Sequence, residues 1–435
     1  MEFARKMYLE RIIAARGNGF IKIITGARRC GKSYLLFTLY KRRLLTEGVA
    51  AENIIDIALD DNVNEKLRNP RDLSAYIRER LKVTKGERYL FIDEIQFCRK
   101  EPVEGHPDEF ITFYDVLNGI QKIKGVDIYV TGSNSKLLSK DIATEFRDRG
   151  EEIQVHPLSF AEVYEAFGGD RYVAWDNYLV YGGMPGALLK KTDEEKRKYL
   201  TALFQKTYLK DIVDRHNLKD DYALGKTADI VSSVVGSLTN PTKLAHAMQN
   251  ELKVRISIPT VKSYLDYLVD SFLFSKAERY DVKGKRYLDY PSKYYAEDVG
   301  LRNARLSFRQ IEPDFLMENV IYNELRARGC AVDVGVVEHW ETAAGERKRK
   351  ALEIDFIVNL GMTKVYIQSA FALGTERKRN QETASLRFSG DSFRKVVLVG
   401  SVQPRYTDDH GISYVNVLDF LLDEKVQQEL LSKKI

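Results

Sequence analysis

A glycine-rich stretch holds the residues of this chain that are best suited to phosphate chemistry. Residues 21–33 read IKIITGARRCGKS and fill every fixed position of the pattern G-x-x-x-x-G-K-[ST]. In that pattern the backbone N–H groups of the loop surround phosphates, the lysine reaches the β- and γ-phosphates, and the final hydroxyl ligates Mg²⁺. The sequence therefore predicts ATP and Mg²⁺ as cofactors, with a metal contact from Ser33. The predicted nucleotide contacts are Gly26, Ala27, Arg28, Arg29, Cys30, Gly31, Lys32, Ser33 and Tyr34.

The segments beside this loop predict the elements that must hold it. Ile21, Ile23 and Ile24 form a β-branched run typical of a buried strand. The segment YLLFTLYKRRLL after Ser33 has apolar residues at helical spacing. A strand, a glycine loop and a helix in this order place the helix N-terminus against the phosphates. A chance match in a helix-start turn is therefore the weaker interpretation.

A pair of acids ends another apolar run, RYLFIDEIQ at residues 88–96. We expect Asp93 to bind Mg²⁺ through water, and Glu94 to orient and polarise the attacking water while Lys32 holds the phosphates. Taken alone, an apolar run that ends in acids is often only a strand running into a turn. The glycine loop upstream favours the catalytic interpretation.

Polar residues also end the apolar run VDIYVTGSNS at residues 126–135. At the tip of a strand beside the loop, such side chains can touch the γ-phosphate or the attacking water. Asn134 is the first catalytic candidate, followed by Ser133 and Thr131. A set of ordinary polar turn residues explains the pattern equally well.

Two arginines, Arg147 and Arg149, lie just before the next predicted strand. A neighbouring subunit that supplied one of them would stabilise transition-state charge as an arginine finger. The alternative is a solvated pair of arginines with no catalytic role.

Several motifs together are specific enough to indicate a family: GARRCGKS, FIDEIQ, VTGSNS and RDRGEEI, followed by HPLSFAEVYEAFGG. They resemble the prokaryotic AAA-type ATPases, archaeal and bacterial, that carry an appended C-terminal domain of unknown function. The resemblance extends over nearly the whole chain. It implies an α/β fold with an AAA+-like parallel sheet whose P-loop strand is central. It also implies Arg147 or Arg149 as the finger, since both fall where this superfamily places that residue.

Residues 175–189, WDNYLVYGGMPGALL, predict two helices joined by a glycine-proline turn. The turn resembles the lid motif of signal-transducing P-loop ATPases, in which the proline packs near the adenine. This resemblance implies a nucleotide contact for Pro185, and an ordinary helix–helix turn is the alternative. The long basic helix predicted at residues 193–215 offers Lys210 or Arg215 towards the γ-phosphate, and the sequence does not choose between them.

The middle of the chain predicts three helices and then a β-hairpin that turns at Gly284, which is the pattern of a winged helix-turn-helix. The first helix is expected at 222–237, and Asn240-Pro241 is a strong start for the second. Residues 276–293 carry six basic residues against three acidic ones, with tyrosines between them. This composition suits contact with the phosphates of double-stranded DNA. Protein contacts, or packing against the ATPase, are equally compatible with it.

Beyond residue 312 the order helix, strands, helix, strand resembles the PD-(D/E)XK nuclease fold. The active site of that fold combines acids for Mg²⁺ with a lysine near the attacking water. Glu318 and Asp355 match the acids, but the last pair is Gln368 and Ala370, so the lysine is missing. Lys364 lies too far along its strand to replace it. We therefore expect a degenerate domain that does not cleave nucleic acid.

The composition, 44% hydrophobic and 30% charged, is that of a soluble globular protein of 435 residues. The sequence contains no apolar stretch of the roughly 20 residues that a membrane span needs, and its N-terminus lacks a signal-peptide core. Three scattered cysteines fit neither a disulfide framework nor a metal cluster, so we expect a cytoplasmic protein without a membrane partner. The net charge of +5 is compatible with nucleic acid but too small to argue for it.

Together these patterns predict four domains. They are an ATPase core at 1–165, a helical lid at 166–218, a winged helix at 219–300 and a nuclease-like α/β domain at 301–435. The expected function is that of an ATP hydrolase acting as a nucleotide-dependent switch or remodeller, coupled to double-stranded DNA or to a protein partner, as a homo-oligomer. The alternatives are an ATP-gated metal-dependent nuclease and a non-hydrolysing DNA-binding regulator.

Overall fold

The computed structural model describes residues 2–132, 146, 149–219, 221–250, 253, 255–343 and 346–431. The chain divides into two compact units. The first unit contains Met1–Pro157 and Asp270–Phe272, and the second contains Leu158–Val269 and Leu273–Ile435. The four predicted domain ranges are finer than this division and stay predictions.

A parallel β-sheet forms the centre of the first unit. The described strands of this unit are β1 (Ile21–Thr25), β2 (Ile54–Ala58), β3 (Arg88–Asp93), β4 (Glu101–Val103), β5 (His106–Ile111), β6 (Val126–Thr131) and β7 (Gly150–Gln154). Five of them make the sheet in the order β2-β3-β6-β1-β7, with every pairing parallel. The glycine-loop strand β1 therefore lies inside the sheet but one strand from its edge, because β7 pairs along its outer side. The expectation that it is the central strand is corrected accordingly. Strands β4 and β5 form a separate antiparallel hairpin.

Helices cover both faces of this sheet. They are α1 (Lys6–Ala14), α2 (Lys32–Tyr34, continued with a wider turn through Leu35–Tyr40 and then Lys41–Thr46), α3 (Pro70–Val83) and α4 (Phe113–Gln121). Alternate residues of β3 point to opposite faces, as strand geometry requires. Leu90 joins the apolar cluster formed with α3 and α4, whereas Phe91 packs against Tyr40 of α2 at a ring-centroid distance of 5.7 Å. This burial on both faces explains why β3 reads as an uninterrupted apolar run.

The second unit holds the remaining elements. Its helices are α5 (Phe160–Phe167), α6 (Arg171–Tyr181), α7 (Pro185–Leu188), α8 (Asp193–Ala202, continued through Leu203–Leu209 and Lys210–His216), α9 (Tyr222–Ser233), α10 (Pro241–Asn250), α11 (Ile258–Asp270), α12 (Val299–Arg305), α13 (Pro313–Ala327), α14 (Glu376–Arg387), α15 (Val417–Leu422) and α16 (Glu424–Leu431). Its strands are β8 (Leu238–Thr239), β9 (Phe274–Asp281), β10 (Arg286–Ala296), β11 (Ala331–Ala343), β12 (Glu346–Leu360), β13 (Thr363–Ala370), β14 (Arg394–Val399), β15 (Tyr406–Thr407) and β16 (Ile412–Asn416). Within the described ranges, every helix of the chain is too short or too polar to cross a lipid bilayer.

One mixed sheet of nine described strands runs through the second unit, in the order β15-β16-β14-β13-β12-β11-β9-β10-β8. The hairpin β9–β10 is antiparallel, and β9 then pairs in parallel with β11. This pairing joins the hairpin predicted for 219–300 to the strands predicted for 301–435. The sequence assigned these strands to two domains and gave no sign of this pairing, because a parallel pairing between distant strands leaves no local signal.

The glycines of the turn at 182–185 are required by packing inside the second unit. Asp298 receives hydrogen bonds from the backbone N–H groups of Gly183 at 2.7 Å and Leu301 at 2.9 Å, so it caps α12 and holds the turn. A Cβ atom on Gly183 would lie 1.9 Å from the carbonyl oxygen of Leu158. Burial raises the pKa of Asp298 to about 6, although the backbone N–H groups oppose that rise.

Asp298 predicts a pH dependence of stability. Because the pKa of Asp298 is higher in the folded chain than the roughly 3.9 of an unfolded aspartate, the free energy of unfolding should fall by about 3 kcal/mol as pH rises through that window. Asp298→Asn removes the titration, so the difference in unfolding free energy between wild type and variant should change by this amount from about pH 3 to about pH 7. Urea unfolding of both proteins across the range measures it. A difference that stays constant with pH would contradict the prediction.

Candidate active site

The glycine loop joins β1 to α2, and its conformation needs glycine at both fixed positions. Gly26 has φ of 134° and Gly31 has φ of 103°, both in the region that side chains disfavour. A Cβ atom on Gly26 would also lie 2.0 Å from the carbonyl oxygen of Val155. The Nζ of the buried Lys32 donates to the carbonyls of Gly26 and Ala27, each at 3.0 Å. The loop thus wraps around the lysine that the sequence assigned to the phosphates.

Asp93 is the point at which three elements meet. Its Oδ1 accepts a hydrogen bond from Ser33 Oγ at the start of α2, at 3.0 Å, and another from Thr131 Oγ1 at the end of β6. The backbone N–H of Glu94 in turn donates to Thr131 Oγ1 at 2.9 Å. Burial raises the pKa of Asp93, and the hydrogen bonds from Thr131 and Ser33 oppose the rise. The two residues predicted to hold Mg²⁺ are therefore in direct contact.

Glu94 follows β3 in a left-handed conformation, with φ of 50°. Left-handed backbone is uncommon for residues other than glycine, and it directs the Glu94 side chain away from the path of the strand. The side-chain amide of Gln96 donates a hydrogen bond to the Glu94 carboxylate. Sequence reasoning gave Gln96 no role, because a contact two residues along the chain depends on this turn and not on any motif.

A cavity of about 450 Å³ brings most of the predicted residues together. It is lined by Arg28, Arg29, Gly31, Lys32, Ser33, Tyr34, Asp60, Asp93, Glu94 and Phe97. Asp60 and Phe97 are additions that the sequence did not assign. Asp60 follows β2, the neighbour of β3, so the sheet order would have identified it. Cys30 belongs to the loop but is buried, and its Sγ donates to the carbonyl of Val155 at 3.3 Å.

Arg149 lies at the opposite edge of the sheet from the glycine loop. Its carbonyl accepts from the N–H of Ile21, at the amino end of β1, while the loop follows the carboxyl end. A five-residue strand separates the two positions by roughly 16 Å. The exposed Arg149 side chain is therefore remote from the loop of its own chain, as a finger supplied to a neighbouring copy would be. That role stays a prediction.

The roles of several other predicted residues stay predictions. Ser133, Asn134 and Arg147 lie outside the described residues. Pro185 begins α7 in the second unit, and its contact with adenine stays a prediction. Arg215, one of the two candidates on α8, pairs with Asp211 of the same helix.

The residues at this cavity fit a nucleotide with Mg²⁺. Mg²⁺ in phosphate-binding sites takes one or two protein oxygens and completes its shell with phosphate oxygens and water. Ser33 and Asp93 supply the protein oxygens, and Lys32 supplies positive charge for the phosphates. A larger set of protein ligands is not required.

A second group of predicted residues, in the second unit, differs from expectation. Glu318 and Asp355 are close together, but the ammonium of Lys293 on β10 lies between them. Its Nζ is 2.8 Å from Glu318 Oε1, 2.8 Å from Glu353 Oε1 and 3.6 Å from Asp355 Oδ1. The motif lysine paired with Gln368 is still missing, because Ala370 takes its place, but a lysine from another strand lies within the cluster. Lys293 comes from the predicted wing and not from the strand of Gln368, so no nuclease-type spacing could reveal it.

Comparisons with known proteins agree with the geometry of the first unit. A family model described as an AAA domain matches residues 18–164, and one described as a domain of unknown function matches residues 173–312. The chain is 33% identical to a protein of Haemophilus influenzae over 425 residues, which is 96% of this chain and 98% of the relative. It is 29% identical to a protein of Methanocaldococcus jannaschii over 377 residues, which is 83% of this chain and 77% of the relative. Both relatives are described as uncharacterised.

Among solved structures, the chain is similar to a Walker-type ATPase of Pyrococcus abyssi. The two are 14% identical with a TM-score of 0.49, and the match covers 70% of this chain and 96% of the other. A TM-score below 0.5 does not establish a common fold.

The loop geometry predicts that Lys32 provides much of the affinity for ATP. Lys32→Ala removes a charge-assisted contact worth about 1.5–3 kcal/mol, so the dissociation constant for a fluorescent ATP analogue should rise about 10- to 150-fold. Lys41→Ala is the matched control, because Lys41 lies on the same helix and pairs with Asp56. Fluorescence titration with Mg²⁺ present measures both variants. Equal affinities in the wild type and Lys32→Ala would contradict the prediction.

Proposed function

Because the chain belongs to the same family as its Haemophilus influenzae relative and carries an AAA-type P-loop ATPase domain, we propose that it binds ATP with Mg²⁺ and hydrolyses it. The observation that carries this proposal is the shared cavity of the first unit. Lys32, Ser33, Asp93 and Glu94 all line it, so the phosphate-binding, metal-binding and water-activating groups face one volume.

We assign each residue a role that its contacts support. When a nucleotide binds, Lys32 exchanges its hydrogen bonds to the carbonyls of Gly26 and Ala27 for contacts with phosphate oxygens. Its ammonium then neutralises part of the phosphate charge. Ser33 and Asp93 would hold Mg²⁺, which would draw electron density from the phosphates when bound. Glu94 orients and polarises the water that attacks the γ-phosphate.

Thr131 acts as a positioning residue for this group. Its hydroxyl donates to the Asp93 carboxylate and accepts from the backbone N–H of Glu94. The Thr131 side chain, at the end of β6, thereby holds the carboxylate of Asp93, which is predicted to bind the metal. It also holds the backbone of Glu94, which is predicted to orient water. Small displacements of such groups are costly to catalysis, so the end of β6 is a natural point for regulation.

The hydrogen bond between Gln96 and Glu94 supports a nucleotide-dependent switch rather than a fast motor. A glutamate carboxylate that accepts a hydrogen bond from a neighbouring amide is less available to a water molecule. Loss of this contact frees the second oxygen of the carboxylate and is expected to raise the rate of hydrolysis, and a partner is expected to promote that loss. A slow basal rate that a partner raises is the behaviour expected of a switch or remodeller.

The second unit supports coupling to double-stranded DNA through a winged helix. Helix α9, strand β8, helices α10 and α11, and the hairpin β9–β10 follow one another in the order of that motif. The turn of the hairpin exposes Lys283, Lys285 and Arg286, which suit backbone phosphates. The runner-up is a protein partner docked on the same surface. Arg149, remote from the loop of its own chain, supports assembly into a homo-oligomer in which it reaches a neighbouring nucleotide.

The role proposed for Glu94 predicts how a substitution at this position changes the rate of ATP hydrolysis. Glu94→Gln removes the base while keeping the shape of the side chain, so kcat should fall about 100-fold or more with ATP affinity nearly unchanged. Glu104→Gln, an exposed acid in the turn between β4 and β5, is the control and should retain full turnover. Phosphate release with and without double-stranded DNA measures both. Turnover in Glu94→Gln above a tenth of the wild-type rate would sink the assignment.

The basic residues in the turn of the hairpin β9–β10 predict how DNA binding depends on salt concentration. The double substitution Lys285→Ala with Arg286→Ala removes two phosphate contacts, so the slope of log affinity against log salt should become shallower by about 2. The control is the double substitution Lys190→Ala with Lys191→Ala, which removes the same charge from another exposed position of the second unit. Fluorescence anisotropy with a duplex at several salt concentrations compares the pairs. If both pairs change the slope equally, the hairpin is not the contact, and failure to bind any duplex favours the protein partner.

A further inference from the structure

The acid cluster of the second unit, defined as Glu318, Glu353 and Asp355, surrounds a lysine. Glu318 lies on α13, the two other acids lie on β12, and Lys293 enters from β10. Two carboxylates lie 2.8 Å from the Lys293 ammonium and the third lies 3.6 Å from it. One cation thus connects three carboxylates from two elements.

The remaining polar contacts of the cluster are also made within the protein. Tyr295 donates its hydroxyl hydrogen to Glu318 Oε1 at 2.7 Å, and the backbone N–H of Ser369 donates to Asp355 Oδ2 at 2.8 Å. Gln368 accepts from the backbone N–H of Asp355 at 3.4 Å. These contacts hold both flanking acids in fixed orientations around the ammonium.

Lys293 carries its charge in a position where charge is costly. Only 2% of the residue is exposed, and burying an ammonium is strongly unfavourable unless it is paired. Burial alone would lower the pKa of Lys293, but Glu318, Asp355 and Glu353 together raise it above its ordinary value. The ammonium therefore stays protonated, and the carboxylates supply the compensation that a buried cation needs.

The acids of a nuclease-like site normally serve a divalent metal, and the residues present here do not fit one. Among the residues that the structure describes, no group of three or more histidine, cysteine, aspartate or glutamate side chains has the arrangement to hold a metal ion. The acid cluster borders a cavity of about 390 Å³ that is also lined by Gln368 and Lys378, so access alone does not exclude metal. The ammonium of Lys293 occupies the space among the carboxylates instead.

We propose that Lys293 replaces a divalent cation in this acid cluster. Its ammonium takes the central position among the carboxylates that would otherwise ligate a metal and offsets part of their negative charge, and it ties the hairpin β9–β10 to α13 and β12. The second unit is therefore complete without metal and does not cleave DNA. This inference is independent of ATP hydrolysis in the first unit.

Removing the ammonium should expose a metal site. In the full chain without nucleotide, and with Asp93→Asn present to silence the first unit, Lys293→Met should bind Mn²⁺ at least tenfold more tightly than the unaltered cluster. Electron paramagnetic resonance of free Mn²⁺ measures the affinity, and thermal unfolding tests whether Mn²⁺ stabilises the variant selectively. Lys293→Arg keeps a cation and should gain no site.

Two outcomes would overturn the proposal. One is Mn²⁺ binding by the chain with Lys293 intact that Asp355→Asn abolishes, because the cluster would then already be a metal site. The other is a folded Lys293→Met variant that gains no Mn²⁺ affinity. If Lys293→Met does not fold, the double variant Lys293→Met with Glu353→Gln takes its place, because it removes one charge of each sign. Glu318 and Asp355 remain to bind Mn²⁺, so a folded double variant that gains no Mn²⁺ affinity would overturn the proposal.

Discussion

The first unit depends on one carboxylate, that of Asp93. It ends β3, accepts a hydrogen bond from Ser33 at the start of α2, and accepts another from Thr131 at the end of β6. Because these residues come from separate elements, their contact requires the parallel strand order to be correct. The cavity beside the glycine loop is therefore a consequence of the sheet as a whole, and a change in strand register would separate its residues.

A comparable ionic centre organises the second unit, but with the charges reversed. There a single ammonium, that of Lys293, gathers three carboxylates, whereas in the first unit a single carboxylate gathers hydroxyls. The difference accords with their proposed tasks. Neutral hydroxyls around Asp93 leave its negative charge available to Mg²⁺, while the ammonium within the acid cluster offsets part of the negative charge of its neighbours and occupies the space between them. One chain thus contains an acidic site suited to metal and another that excludes it.

Local patterns in the sequence were sufficient for much of the first unit. The glycine loop and the apolar run before Asp93 depend on spacing within short segments, and both were predicted where the structure has them. The contact of Thr131 with Asp93 depends on β6 lying beside β3, which the sequence does not state. The ranking of Asn134 ahead of Thr131 stays a prediction, because Asn134 lies outside the described residues. Lys293 was missed because its contacts also depend on which elements lie side by side. Its partners come from α13 and β12, and only the parallel pairing of β9 with β11 brings the hairpin to them.

That parallel pairing also determines how fragments of this protein would behave. During synthesis the hairpin β9–β10 leaves the ribosome before β11, so the outer edge of β9 has unpaired backbone groups until residues 331–343 emerge. A fragment ending near residue 300 would keep that open edge permanently and would also leave Lys293 without its acids. Such edges recruit other strands, and aggregation is the usual result. The hairpin β9–β10 and the C-terminal strands are therefore best expressed and studied within one chain.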